Sequence, residues 1–168
     1  GAPNLWSYFT EEEAYDLWTL YNRRHYSEFG ASKYTQGKAP FKVQVLLKNF
    51  LETADTIVGR KDYHGATLRF GHEVYLMPLA AIMELGHVGE TIENTDTLDR
   101  VWVNSNIFPM GGNIQLVFYR PKKGKDGDIL VKALLQEREV TLPVTPVKFP
   151  YYKWEDLKAY YLRKLASV

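Results

Sequence analysis

The chain contains no cysteine. Within it, that excludes disulfides, thiolate nucleophiles and cysteine-based zinc sites. It is compatible with an oxidising compartment without indicating one. An excess of either charge is also lacking: 21 Lys and Arg stand against 20 Asp and Glu, a formal net charge of +1. There is therefore no electrostatic basis for binding nucleic acid or a membrane surface. No apolar run approaches the ~20 residues of a membrane span. Gly1-Ala2-Pro3-Asn4 has neither the basic start nor the apolar run of a signal peptide. The first residue is Gly rather than Met and reads as a residue left by tag removal, so a mature or truncated polypeptide is expected. There is no internal repeat and no low-complexity tract.

The 168 residues fit one domain, or a substantial piece of one. A hydrophobic fraction of 45% is enough for a sizeable core, and 12 of the aromatic residues are Tyr. A buried Tyr carries a hydroxyl that needs a partner.

Thr10-Glu11-Glu12-Glu13 is a capping box, in which the Thr hydroxyl accepts from the backbone three residues on and Glu13 reaches back. It predicts a helix from about Glu11 to Phe29, stopping at Gly30, with Ala14, Leu17, Trp18 and Tyr21 as its apolar positions. A polar connector over 31–39 leads to Pro40. A second helix is expected over Phe41–Val58, with Val43, Leu46, Leu47, Phe50, Leu51, Ala54 and Val58 inward, ended by Gly59 and followed by a loop over 60–65. Ala66-Thr67-Leu68-Arg69-Phe70 reads as a buried strand, Gly71 as a backbone break, and Val74–Leu85 as an apolar helix. Residues 86–98 are polar and loop-rich. Beyond them the period changes to two: Asn113–Tyr119 and Asp128–Leu135 are strands joined by turn residues 121–127, and Glu139–Leu142 adds a short one. Pro143, Pro146 and Pro150 impose an extended connection. Trp154–Leu165 is a closing helix with Leu157, Tyr160, Tyr161 and Leu165 inward. Helices around a sheet make this an α/β or α+β protein.

The chain has four histidines. His25, in Arg23-Arg24-His25-Tyr26, is expected on a polar helix face. His64 precedes Gly65 and reads as a surface residue. His87 follows Gly86 just past a helix end, where a cation complements the helix dipole. None has a second histidine or carboxylate at a metal-binding spacing, so no metal and no cofactor is expected. His72 differs because Arg69-Phe70-Gly71-His72-Glu73 lies between a strand and a helix, the place where active groups gather in open α/β sheets. An imidazole beside a carboxylate suits phosphate handling and proton transfer. Two readings of His72 stay open on these grounds: a core histidine bonded to a backbone carbonyl, or an active group. Glu73 is equally readable as a solvated acid at a helix start.

The string Leu68-Arg69-Phe70-Gly71-His72-Glu73-Val74-Tyr75-Leu76-Met77-Pro78-Leu79 resembles the second signature of the histidine acid phosphatases, the branch of the histidine phosphatase superfamily that includes phytases and multiple inositol polyphosphate phosphatases. Tyr21-Asn22 with Tyr26 to Gly30, Leu47 to Ile57, Ile107-Phe108-Pro109-Met110 through Asn113 to Tyr119, and Asp128 to Leu135 resemble the later part of the bacterial inositol polyphosphate enzymes. The resemblance implies an α/β fold: part of a phosphoglycerate-mutase-like three-layer α/β/α sheet with flanking helices. Residues 1–40 would be a helical segment from the cap, and 41–168 the sheet and its helices.

The same resemblance implies a two-step phosphomonoester hydrolysis. A histidine in Arg-His-Gly-x-Arg-x-Pro forms a phosphohistidine, His72 contacts the phosphoryl group, and Glu73 protonates the leaving alcohol. The nucleophile motif does not occur in this chain. The resemblance thus implies the C-terminal portion of a longer phosphatase, inactive alone, whose partner is the missing N-terminal half and whose substrates are phosphomonoesters such as inositol polyphosphates. A periplasmic or secreted location is implied by the resemblance alone. A fragment of a sheet exposes an unpaired edge or an apolar face, so self-association is expected.

Overall fold

The computed structural model describes residues 4–60, 64–122 and 125–167. Gly1–Pro3, the middle of the 60–65 loop and the centre of the 121–127 turn, all interpreted above, lie outside the described residues.

A 3-10 turn over Leu5–Tyr8 precedes α1, Glu11–Phe29. The capping box forms as expected: the Glu13 N–H donates to Thr10 Oγ1 at 3.2 Å, and the Thr10 N–H donates to Glu13 Oε2 at 2.8 Å. The buried face of α1 departs from the expected stripe. Asn22, His25, Tyr26 and Phe29 point inward, whereas Leu17 and Tyr21 are exposed. Hydrogen bonds decide this. The Asn22 amide donates to the Trp102 carbonyl at 2.7 Å and accepts from the Asn104 N–H at 2.8 Å. Anchored polar groups here override the apolar spacing of the sequence.

A 3-10 turn over Ala39–Val43 holds Pro40 and leads into α2, Gln44–Val58. The expected stripe is inward: Val43, Leu47, Leu51 and Ala54 are buried, and Leu46, Phe50 and Val58 pack against the core. Helix α3, Glu73–Ile82, starts and ends slightly earlier than expected. Every residue from Met77 to Ile82, and the following Met83, is buried. A helix apolar on every side belongs in the middle of a protein, and α3 packs against α1, α2 and the 39–43 turn.

Residues 86–98 form turns and a 3-10 segment at Thr95–Thr97, followed by the short helices α4, Leu98–Val101, and α5, Asn104–Ile107. The sheet is antiparallel throughout. Strand β1, Ile114–Tyr119, pairs with β2, Leu130–Leu135, from Ile114↔Leu135 to Tyr119↔Leu130, the expected hairpin. The other edge of β2 is shared by β3, Arg138–Val140, and β4, Tyr152–Lys153. Gln136 and Glu137, both at positive φ (52° and 64°), make the tight β2–β3 turn. Such turns usually carry Asn or Gly there.

Helix α6, Trp154–Ala166, closes the fold against α2 and clamps the end of α3. The Trp154 indole N–H donates to Asp55 at 3.0 Å. The Tyr161 hydroxyl donates to the Met83 carbonyl at 2.7 Å, and its complete burial pushes its pKa well above the usual tyrosine value. Glu84 accepts from the Tyr160 hydroxyl at 2.8 Å and pairs with Lys164. Burial and then the Glu84 hydrogen bond push Tyr160 up to about 12.

The α/β class of the sequence reading holds, with helices flanking a four-stranded sheet. One element is corrected. Ala66–Phe70 is not a buried strand: it has no regular secondary structure, and Leu68 and Phe70 are 74% and 93% exposed. None of residues 64–71 makes a backbone–backbone hydrogen bond among the described residues. No strand of the sheet lies beside the segment, and a strand without a ladder is not stable in water. No helix among the described residues is long and apolar enough to cross a membrane.

Candidate functional site

His72 occupies the N-cap position of α3, with φ −106° and ψ 165°. Its carbonyl accepts from the Tyr75 and Leu76 N–H groups at 3.0 and 3.3 Å, while its ring makes no capping bond. Glu73 is the first helical residue. Both side chains are exposed, and neither has a hydrogen-bond partner among the described residues. His72 is therefore not a satisfied core histidine. Both residues line an open cleft of about 580 Å³. The unpaired N–H groups and the dipole of the α3 N-terminus favour an anion there.

Three elements build the remaining walls. Helix α2 supplies Leu46 and Phe50, α3 supplies Leu76, and the turn from Phe108 to Asn113 supplies a third face. That turn needs glycine twice. Gly111 adopts φ +73°, and a Cβ on Gly112 would lie 2.9 Å from the Pro109 carbonyl and 3.1 Å from Leu76. Gln136 pins the turn from the β2–β3 connection: its amide donates to the Ile107 carbonyl at 2.5 Å and accepts from the Asn113 N–H at 2.8 Å.

Arg69 also lines the cleft. Its Nη2 donates to Asn49 Oδ1 and Thr53 Oγ1, each at 2.8 Å, and its guanidinium stacks over the Phe50 ring at 4.2 Å. Arg69 opens the string Arg69-Phe70-Gly71-His72-Glu73, in which the sequence alone assigns it no role. Its signal was weak, because the residues that hold it lie 16 and 20 positions upstream.

His25 is corrected from a polar-face residue to a buried one, 7% exposed. Its Nδ1 meets Asn104 Nδ2 at 3.0 Å. Asn104 Oδ1 already accepts from the Ser105 N–H at 2.7 Å and the Trp18 indole N–H at 3.2 Å, so the amide presents N–H to the ring. His25 Nδ1 is then an acceptor, and the neutral ring carries its proton on Nε2. Burial lowers its pKa below the usual histidine value; Glu28 opposes this, Arg24 adds to it and Glu73 opposes it. The ring is caged edge-on by Tyr21 at 3.9 Å and by Phe108 of the cleft turn at 5.3 Å.

The other histidines stand apart from the cleft. His64 is exposed. His87 lies in a turn past the end of α3 and meets Glu90 at 2.6 Å. Among the described residues, no group of three or more His, Asp or Glu is arranged to hold a metal ion. The structure thus brings His72, Glu73 and Arg69 to one cleft and commits His25 elsewhere.

No family model matches the sequence, and no curated protein matches it. Solved structures do. The chain is similar to the multiple inositol polyphosphate phosphatase of Bifidobacterium longum in its complex with phosphate, at 27% identity and TM-score 0.73, over 92% of this chain and 34% of that one. The apo form matches at 29% identity and TM-score 0.71, over 93% of this chain and 34% of that one. The complex with inositol hexasulfate matches at 28% identity and TM-score 0.70, over 84% of this chain and 30% of that one. The chain has a phosphatase-like scaffold and spans about a third of the length of these proteins.

Proposed function

We propose that this chain supplies the C-terminal part of a phosphatase acting on phosphomonoesters, with inositol polyphosphates as the substrate class. The observation that carries this reading is the likeness to the inositol polyphosphate phosphatases over most of the chain. The position of His72 and Glu73 in a cleft at the head of α3 agrees with it.

In this reading a histidine outside residues 1–168 attacks phosphorus, and the ester P–O bond breaks as the N–P bond forms. Protonated Glu73 gives its proton to the departing alcohol oxygen. Water then attacks the phosphohistidine while Glu73 takes back a proton, so inorganic phosphate leaves and the imidazole is restored. His72 donates a hydrogen bond to a phosphoryl oxygen, and the α3 N-terminus adds its partial positive charge where negative charge gathers.

The partner that this requires is the polypeptide bearing the nucleophile. Its support here is the exposed 64–71 segment, with no strand beside it and with Leu68 and Phe70 open to water. A further strand from the partner would supply both the missing ladder and the missing cover. Residues 1–40 then contribute to the cap and 41–168 to the main sheet layer. A periplasmic or secreted location rests on the resemblance.

A second reading, an anion-binding module without turnover, is favoured by one observation. His25 is committed to Asn104, and His72 is the sole histidine of the cleft among the described residues.

Phosphatase assays separate the readings. The chain alone shows no turnover in either. A longer polypeptide that carries Arg-His-Gly-x-Arg-x-Pro upstream hydrolyses inositol phosphates, and Glu73→Gln lowers its kcat by about 100-fold or more. Full turnover by residues 1–168, abolished by His25→Ala, contradicts the assignment.

A further inference from the structure

Residues 108–113 form one wall of the cleft that His72 and Glu73 also line, and a single side chain ties both ends of that wall. Gln136, at the end of β2, donates from Nε2 to the Ile107 carbonyl just before the turn. Its Oε1 accepts from the N–H of Asn113, the last residue of the turn. Its own N–H donates to the Asn113 carbonyl at 3.0 Å. The amide fits only one way round, because a carbonyl stands at one end and an N–H at the other. The approach is close: a Cβ on Gly112 would lie 3.2 Å from Gln136 Nε2.

Gln136 is strained where it stands. Its φ of +52° lies in the left-handed region, where Gly and Asn are more at ease, and Glu137 follows at +64°. Strained residues of this kind gather at functional sites, where the surrounding structure holds them. A glycine would relieve the backbone but has no amide to bridge Ile107 and Asn113. The wall itself contains Gly111 and Gly112, so its backbone is pliable and its shape depends on what holds its ends. We propose that Gln136 is a positioning residue: it fixes this wall of the cleft for an anion held at His72. Gln136 does not line the cleft and acts only through the turn. A wall fixed beforehand leaves less ordering to be done when the ligand arrives. The proposal rests on the reading of the α3 head as a phosphate-recognising site.

The test titrates residues 1–168 with inorganic phosphate, followed at the His72 ring by NMR, beside urea unfolding of the same variants. Gln136→Gly removes the amide and suits the left-handed backbone, so relief of strain offsets the lost hydrogen bonds. Its urea midpoint stays level or rises, while its phosphate dissociation constant rises about fivefold or more. Gln136→Asn also suits this backbone and keeps an amide on a shorter arm. It recovers part of the lost affinity, which a role in stability alone would not produce. Unchanged phosphate affinity in Gln136→Gly, whatever its midpoint, overturns the inference and leaves the phosphate reading standing. A silent His72 ring in the unmodified chain overturns both. If Gln136→Gly does not fold, Gln136→Leu answers instead. It keeps the bulk of the side chain without the amide, and unchanged phosphate affinity in that variant also overturns the inference.

Discussion

From Met77 to Met83 the chain is closed off from water on every side, whereas every side chain from Leu68 to Tyr75, just upstream, is exposed. The closed half of α3 is surrounded by α1, α2 and the 39–43 turn, and α6 ties its far end through Tyr161, Tyr160 and Lys164. The open half carries Arg69, His72 and Glu73 along a cleft, with Phe70 beside them in water. One helix thus joins a buried core to an exposed edge that carries the proposed site. Among the described residues no strand pairs with that edge.

Stability measurements sharpen this contrast, beginning with the closed half. Leu85, fully buried just past α3, gives the largest effect: Leu85→Ala costs about 3 kcal/mol in urea unfolding, from lost burial and the cavity left behind. Tyr161→Phe comes next, at about 1–2 kcal/mol, because the buried Met83 carbonyl loses its 2.7 Å donor.

A pH effect follows at the junction of the two regions. His25 has its pKa lowered in the fold by burial, so the folded state binds its proton less readily than the unfolded chain. Its contribution is complete above the unfolded value of about 6.5 and is lost as pH falls from there toward the lower folded value. Protonation would set an Nδ1–H against the Asn104 amide donor. Urea midpoints should therefore fall on acidification below about pH 6.5, and His25→Phe should flatten that slope. A slope unchanged in the variant breaks this part of the account.

The smallest effect belongs to the open half. Phe70→Ala should change stability by less than about 0.5 kcal/mol despite the size of the side chain, because it is 93% exposed. The same change should reduce self-association in sedimentation, since it trims an exposed apolar surface. If Phe70→Ala costs as much as Leu85→Ala, the two halves of α3 are not different in kind.

Local signals in the sequence carried most of the scaffold. The Thr10 box, Gly59 and the 3.6-residue stripe of α2 act within a turn or two of themselves, and so did the alternation of β1 and β2. The misses were non-local. Asn22 and His25 are turned inward by Trp102 and Asn104, about 80 residues away in sequence, which no periodicity reports. The β2–β3 turn uses Gln136 and Glu137 where turn rules look for Asn or Gly. Ala66–Phe70 has the composition of a strand, yet composition cannot supply a neighbour. At the site, His72 and Glu73 stood out by their place before an apolar helix. Arg69 emerged only when α2 was seen to hold it.

The central claim is that the head of α3 is a phosphate-recognising site. Titrating residues 1–168 with inorganic phosphate while following the His72 ring by NMR tests it most directly. A saturable shift of the His72 resonances at millimolar phosphate is expected, with His87 unmoved. A His72 ring that stays silent while the fold is intact would contradict it.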